Sequence, residues 1–179
     1  MIIVMGLPGA GKSTVLKGVQ GEVRQVNYGT LMFEIAKEKF GIEGRDQMRK
    51  LPVENQKEVQ AAVAERLSKE EGKVILDTHC SIKTGKGYLP GLPFELLAKL
   101  SVEGVVLVTA KPEEVFERRS RDPSRDRDRE TLEDVQEHDF MNRAFLAAYA
   151  AHRGCPAKII YNAQGKVEEA TAKLQQMLE

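Results

Sequence analysis

The sequence has only two cysteines, Cys80 and Cys155, among its 179 residues. Two cysteines provide neither a disulfide framework nor the ligand spacing of a zinc site, so we expect neither. An excess of charge of one sign is also missing, because 27 Lys and Arg residues balance 27 Asp and Glu residues. A globally basic nucleic-acid-binding protein is therefore disfavoured.

Long hydrophobic runs are absent as well. No apolar run approaches the roughly 20 residues that a membrane-spanning helix needs. The chain opens directly on a strand-like run, without the basic region and apolar core of a signal peptide. We expect a soluble, cytoplasmic protein with one domain over residues 1–179, since domains commonly have about 100 to 200 residues.

Five short apolar runs alternate with segments of helical periodicity. The runs lie at 2–5, 23–27, 74–76, 104–108 and 157–161. Continuous apolar runs are typical of parallel strands buried on both faces beneath helices. The alternation therefore predicts a doubly wound α/β fold. The predicted helices lie at 13–19, 30–40, 53–69, 93–100, 112–120, 131–152 and 166–178.

Two segments break this pattern. Residues 80–93 are rich in glycine and proline, which predicts a loop. Residues 118–129 contain six of the chain's 12 arginines, interleaved with aspartates. We favour a mobile element that neutralises phosphate charge, while a solvated run of salt bridges and an RNA-contacting patch remain alternatives.

Residues 6–13 form a phosphate-binding motif. They read G-L-P-G-A-G-K-S, which matches G-x-x-x-x-G-K-[ST] between a predicted strand and a predicted helix. Glycine torsions let backbone N–H groups turn toward an anion, and the following helix points its positive end at the phosphates. We predict that ATP is bound by Gly6, Leu7, Pro8, Gly9, Ala10, Gly11, Lys12, Ser13 and Thr14.

A magnesium site is predicted beside this loop. The Ser13 hydroxyl occupies the position that ligates Mg²⁺ in such motifs. Asp77 ends the third apolar run, at the carboxyl edge of the predicted sheet where ligands bind, and we expect it to hold the ion through water. The alternative for Asp77 is a carboxylate that caps a turn.

Other features of the sequence exclude two classes of nucleotide-binding protein, the GTPases and the large ATPase motors. No N-K-x-D motif for guanine is present, and the chain is short for an ATPase motor with a separate sensor apparatus. A small kinase remains, and the arginine-rich segment fits the negative charge that two phosphorylated substrates bring together.

The whole chain resembles the archaeal-type adenylate kinases. The most specific matching strings are R-D-Q-M-R-K-L at 45–51 and K-G-Y-L-P-G-L-P at 86–93. The other matching segments, in order, are 6–14, 27–30, 32–34, 77–79, 83–84, 137–138 and 140–143.

The resemblance implies reversible phosphoryl transfer from ATP to AMP, giving two ADP, with Mg²⁺. It also implies a five-stranded parallel sheet with helices on both faces. A monophosphate-binding region would cover about 28–70, and a short arginine-rich lid would cover about 118–130. Members of this group tend to be trimers, so a homotrimer is expected.

Candidate acceptor residues follow the second and third strands. They are Thr30, Arg49, His79, Lys86 and Gly87. We predict that Thr30 opens the second helix, either as a nucleotide contact or as a plain N-cap. Arg45 and Arg49 are four residues apart, so they share a helix face, and we favour Arg49 for the acceptor phosphate.

The other acceptor candidates have alternatives too. His79 either touches phosphate or ribose or caps the strand end. The segment 83–93 forms a wall for the acceptor base, with Lys83 or Lys86 supplying charge, unless it is an ordinary surface loop.

The proposed catalytic residues are Lys12, Arg119, Arg125 and Arg143. Arg119, before the lid, is expected to stack on the ATP adenine and to meet phosphate. Spacing leaves open whether Arg125 or Arg127 contacts phosphate. Asn162 follows the fifth strand, either in a loop that reads adenine or as a turn residue.

Other residues are predicted to be structural. They are His138 and His152, together with an apolar face on the helix at 131–152 formed by Phe140, Phe145, Leu146 and Tyr149. That face is most simply explained as core, with a subunit interface for part of it as the alternative.

Two departures from more familiar adenylate kinases limit these assignments. Those relatives carry D-G-F-P-R after the third strand, whereas this chain has D-T-H-C-S at 77–81, so their AMP-phosphate arginine has no counterpart. The lid lacks the four-cysteine cluster of some relatives, and we predict no structural zinc. A kinase for another monophosphate or a small hydroxyl substrate remains an alternative, as does a non-catalytic nucleotide switch or RNA-associated ATPase.

Overall fold

A computed structural model describes residues 1–121 and 130–179, and for Arg49 the backbone alone. Its elements alternate between strands and helices along most of the chain. In order, they are β1 (Ile2–Gly6), α1 (Lys12–Lys17), β2 (Arg24–Asn27), α2 (Tyr28–Phe40), α3 (Arg45–Arg49), α4 (Val53–Ser68), β3 (Val74–Thr78), β4 (Ser81–Thr84), β5 (Gly87–Pro90), α5 (Phe94–Leu97), β6 (Gly104–Thr109), α6 (Pro112–Ser120), α7 (Leu132–Arg153), β7 (Ala157–Tyr161) and α8 (Val167–Gln175).

Five strands form one parallel sheet in the order β2-β3-β1-β6-β7. The predicted α/β fold with a five-stranded parallel sheet is therefore confirmed. Parallel strands end at the same edge of the sheet, so the segments that follow β1, β3 and β6 emerge side by side. In register, Met5 lies opposite Thr78 and Gly6 opposite Val108.

Helices cover both faces of the sheet because its central strands are apolar on both sides. Alternate residues of β1 enter different cores, with Ile3 packed among residues of α2, α4 and α7, and Val4 packed with α1 and α8. The edge strands differ from the prediction of burial on both faces. In β2, Arg24, Gln25 and Asn27 are exposed, because an edge strand has a neighbour on one side only.

The second helix begins earlier than predicted. It starts at Tyr28, and the Asn27 side chain is its N-cap, accepting a hydrogen bond from Thr30 N at 2.9 Å. The prediction that Thr30 opens this helix is therefore wrong. Asparagine is among the best N-cap residues, and Asn27 was hidden at the end of an apolar run.

The predicted loop at 80–93 contains a β-hairpin. Strands β4 and β5 pair antiparallel, with Ile82 opposite Leu89 and Lys83 opposite Tyr88. Glycine and proline content masked the strand-forming residues on either side of a two-residue turn. The hairpin is closed at its base by a hydrogen bond from Gly91 N to Cys80 O at 2.9 Å.

One predicted core residue lies outside the core. On α7, Leu146 and Tyr149 are buried and Phe145 packs against the core, whereas Phe140 is 69% exposed. No helix in residues 1–121 or 130–179 is long and apolar enough to cross a membrane.

We expect Gly91→Ala to lower the free energy of unfolding in urea by about 2 kcal/mol. A Cβ on Gly91 would lie 2.0 Å from the backbone oxygen of His79, so the backbone at the base of the hairpin would have to move. Gly85→Ala is the matched control, because a Cβ there meets nothing within 4 Å. Equal stability of the two variants would contradict the expected steric conflict.

Candidate active site

The phosphate-binding loop joins β1 to α1, and its glycines are required by both torsion and space. Gly9 and Gly11 have φ angles of 87° and 80°, in the left-handed region. A Cβ on Gly11 would lie 2.3 Å from Asn162 Nδ2, and one on Gly9 would lie 2.9 Å from Arg119 Cγ. The loop is therefore packed tightly between β1 and its neighbours.

Lys12 and Asp77 form an ion pair beside this loop, between Lys12 Nζ and Asp77 Oδ1. The side chains are only 14% and 15% exposed, and Asn27 Nδ2 donates to Asp77 Oδ2 at 2.8 Å. Burial lowers the pKa of the Lys12 ammonium to about 8. A nearby anion opposes that shift, so this position favours a negatively charged ligand.

A cleft of about 620 Å³ opens over the loop at the carboxyl edge of the sheet. Most of the predicted donor-side residues line it, namely Gly6, Leu7, Pro8, Gly9, Gly11, Lys12, Ser13, Asp77 and Arg119. His79 lines it too. Among the predicted residues that the structure describes, those outside the lining are Ala10, Thr14, Thr30, Lys86, Gly87, Arg143 and Asn162.

Asn162 supports the loop from behind. It is 6% exposed, and its Nδ2 donates to Ala10 O at 2.9 Å. Its backbone N donates to Thr109 O at 2.7 Å, which ties the end of β7 to β6. The side chain thus positions the loop, and the predicted contact of this region with adenine stays a prediction.

Two consecutive arginines at the end of α6 point to different places. Arg119 is buried, donates from Nε to Pro8 O at 2.7 Å and pairs with Glu130. Arg118 lines the cleft, and its Nη2 donates to Asn162 O at 3.1 Å. Sequence reasoning missed Arg118 because spacing alone does not distinguish neighbouring arginines on one helical turn.

Arg143 lies beside the ends of β6 and β7. Its Nε donates to Asp139 Oδ2 at 2.7 Å, and its guanidinium carbon lies 5.5 Å from the centre of the Tyr161 ring. Asp139 also accepts from Thr109 Oγ1 at 2.7 Å. The predicted Arg125 and the alternative Arg127 lie outside the described residues.

The opposite side of the cleft combines apolar and basic groups. Tyr28, Met32, Arg45 and Met48 line it. Arg45 Nη2 donates to Thr30 Oγ1 at 2.8 Å, so Thr30 supports an arginine that faces the cleft. The favoured Arg49 lies on α3, as expected, and its side chain is outside the description.

The hairpin lysines lie away from this side of the cleft. Lys83 forms an ion pair with Asp134 of α7 at 2.6 Å. Lys86 and Gly87 lie at the turn of the hairpin, where both are exposed. Their role toward an acceptor stays a prediction.

Comparison with known proteins identifies the family. A family model described as an AAA domain matches residues 5–136. An adenylate kinase of Methanothermobacter thermautotrophicus is 45% identical, with 100% of this chain and 99% of that protein covered. One from Methanocaldococcus jannaschii is 42% identical (99% and 97% covered), and one from Thermoplasma acidophilum is 45% identical (94% and 92% covered). The chain belongs to the adenylate kinase family.

Solved structures of similar fold include two shikimate kinases. The enzyme from Bacteroides thetaiotaomicron has a TM-score of 0.58 at 15% identity, covering 99% of this chain and 97% of that chain. The enzyme from Acinetobacter baumannii, in complex with shikimate, has a TM-score of 0.55 at 18% identity, covering 99% and 91%. At this identity the likeness concerns the fold alone.

The groups beside the phosphate-binding loop fit a magnesium ion that also binds phosphate. Ser13 and Asp77 both line the cleft and offer a hydroxyl and a carboxylate oxygen, which are the ligands Mg²⁺ prefers. In the described part of the chain, no cluster of three or more His, Cys, Asp or Glu side chains could hold a metal.

We expect Asn162→Ala to lower the free energy of unfolding in urea by about 1–3 kcal/mol. The substitution leaves the carbonyl of Ala10 without its hydrogen-bond donor in a buried position. Gln164→Ala, on the exposed loop two residues later, should change stability by less than about 0.5 kcal/mol. If both variants have the free energy of unfolding of the wild type, the side-chain amide of Asn162 does not stabilise the phosphate-binding loop.

Proposed function

We propose that the protein transfers the terminal phosphoryl group of ATP to AMP, reversibly, and forms two ADP. The observation that carries this proposal is the meeting of two different halves in one cleft. A phosphate-binding loop with Lys12 forms the donor half, and a mixed apolar and basic wall with Met32 and Arg45 forms the other. Membership of the adenylate kinase family supports the same conclusion.

Lys12 is the central donor-side group in this proposal. Its ammonium is paired with Asp77. The β- and γ-phosphates of ATP would replace that carboxylate as the partner of Lys12. Ser13 and Asp77 would then hold Mg²⁺, which supplies charge neutralisation on the phosphate oxygens when it is bound.

The transfer itself needs no protein base. An oxygen of the AMP phosphate, already ionised, forms a bond to the γ-phosphorus while the bond to the β–γ bridging oxygen breaks. The protein contributes positioning and positive charge. Arg119 is proposed for this role, and the proposal is supported by its Nη2, which is buried and makes no hydrogen bond to any residue that the structure describes.

The remaining assignments belong to the same proposal. Arg143 and Arg125 are proposed to neutralise charge on the phosphates, and Arg125 lies outside the described residues. Arg45 joins Arg49 as a candidate for the acceptor phosphate, because Arg45 lines the cleft. The homotrimer and the cytoplasmic location remain predictions.

Arg118 is proposed to provide the platform for the donor base, in place of Arg119. Both arginines line the cleft, but the Arg119 side chain is 4% exposed and packs against Gly9, whereas the Arg118 side chain is 24% exposed and lies beside Gly11 and Asn162. A planar guanidinium at this edge can stack on a base, which an ammonium cannot do as well.

The first experiment is ADP formation from Mg·ATP with AMP, CMP, UMP, GMP, dTMP or no acceptor. With Mg·ATP as the donor, we expect fast turnover only when AMP is the acceptor. We expect Lys12→Ala to lower kcat/KM by about 10³-fold, because the phosphate charge in the transition state then loses its main cation. Turnover with a different acceptor would overturn the specificity. ATP hydrolysis indifferent to every acceptor, with salt-sensitive RNA binding, would favour an RNA-associated ATPase.

We expect Arg118→Ala and Arg118→Lys both to raise the KM for ATP by about tenfold, because lysine keeps the charge but loses the plane. The KM for AMP should stay within about twofold. Arg66→Ala, an exposed substitution on α4, is the control for a lost arginine. If Arg118→Lys has the wild-type KM for ATP, position 118 contributes charge and not stacking on the base.

A further inference from the structure

The β4–β5 hairpin presents two chemically different faces. Directly opposite residues of an antiparallel pair share a face, and neighbouring residues along a strand alternate. Ile82 and Leu89 are opposite one another, so they lie on one face. Lys83 and Tyr88 form the next pair and lie on the other face. Ser81 lies on that face too, because it is two residues from Lys83 on the same strand.

The polar face is fastened to α7 along its length. Lys83 Nζ pairs with Asp134 Oδ1 at 2.6 Å, and Tyr88 OH donates to Glu137 Oε2 at 3.1 Å. Nearer the base, Ser81 Oγ donates to Asn142 Oδ1 at 2.7 Å. These α7 positions are spaced three to five residues apart, which keeps them on one side of the helix.

Additional contacts hold the centre and the base. The Tyr88 ring lies 5.1 Å from the ring of His138. At the base, Tyr149 OH donates to Cys80 O at 2.9 Å and accepts from Leu92 N at 3.2 Å. An isolated two-stranded hairpin is marginally stable in water, so its orientation depends on this attachment to α7.

The apolar face of the hairpin is exposed, and one of its two residues lines the cleft. Ile82 lines the cleft although it is 47% exposed, and its cross-strand partner Leu89 is 57% exposed. Met32 and Met48 line the same cleft. Exposed apolar side chains in a cleft are suited to covering a flat ring, because the ring's burial removes their surface from water.

We propose that Ile82 is a specificity-determining residue that forms the wall against the base of the acceptor nucleotide. Lys83 and Tyr88 are positioning residues, because their contacts with α7 hold the hairpin, and with it Ile82, in place. The inference rests on the proposed function and names the part of the site that selects the acceptor. Lys83 therefore acts through the ion pair with α7 rather than through charge on the acceptor phosphate.

The test measures KM for AMP and for ATP separately in Ile82→Ala, Ile82→Val, Lys83→Met and Tyr88→Phe. Ile82→Ala should raise the KM for AMP by about tenfold and lower the preference for AMP over CMP, while the KM for ATP and kcat stay within about twofold. Ile82→Val, which keeps most of the wall, should change the KM for AMP by about twofold.

The positioning variants should act in the same direction and more weakly. We expect Lys83→Met and Tyr88→Phe to raise the KM for AMP by about threefold, with the KM for ATP unchanged. Lys83 is replaced rather than Asp134, because Asp134 Oδ2 also caps α7 by accepting from Thr131 N at 2.9 Å. Lys166→Met is the matched control, since it breaks an exposed ion pair with Glu169 on α8.

Calorimetric titration with AMP alone separates this inference from the proposed function. Weaker AMP binding to Ile82→Ala supports the wall even if no phosphoryl transfer is found, and in that case only the proposed function fails. Unchanged AMP binding in Ile82→Ala, or a KM for ATP that rises as much as the KM for AMP, overturns the wall. Because Ile82 is half exposed, we expect Ile82→Ala to keep its fold. The midpoint of its thermal unfolding, compared with that of the wild type, checks this expectation.

Discussion

The active cleft depends on a phosphate-binding loop whose backbone is held from behind by distant side chains. Arg119 reaches Pro8 across 111 residues of sequence, and Asn162 reaches Ala10 across 152. A loop that binds an anion through N–H groups must have those groups oriented before the anion arrives, because reorientation would use up binding energy. The glycines allow the backbone torsions that the loop requires. The side chains packed around them leave little room for the loop to change its conformation.

The ion pair of Lys12 and Asp77 follows from the order of the strands. β1 and β3 are neighbours, so the loop after one strand and the end of the other meet at the same edge. Burying two charges is costly unless both are paired and hydrogen-bonded, and Asn27 completes the pair.

The central sheet and the phosphate-binding loop could be predicted because both depend on local patterns. Continuous apolar runs specify buried parallel strands, and the G-x-x-x-x-G-K-S string specifies the turn after β1. The hairpin was missed because glycine and proline outweighed Ile82 and Tyr88 in a short segment. Asn27 as N-cap was missed because it ends a strand and begins a helix without an intervening loop.

Other features depend on tertiary packing that no local pattern contains. Phe140 shares the helical periodicity of α7, yet nothing in the described structure covers it, so periodicity alone placed it wrongly in the core. The different directions of Arg118 and Arg119 follow from a rotation of about 100° per residue at the end of α6, so that Arg119 reaches the carbonyl of Pro8 and Arg118 reaches the carbonyl of Asn162. Only the position of α6 on the sheet decides which is which.

In the proposed function, the two halves of the cleft recognise their ligands by different means. The donor half would use backbone groups, a lysine and a carboxylate, which recognise phosphate whatever nucleotide carries it. Across the cleft, Met32, Met48 and Ile82 contribute apolar side chains that in sequence are indistinguishable from core residues. A phosphate-binding motif therefore predicts the chemistry of this protein far better than its acceptor, because in our proposal discrimination between bases depends on the shape of an apolar wall. The proposed wall lies on the hairpin, and the attachment of the hairpin to α7 is visible only once the chain is folded.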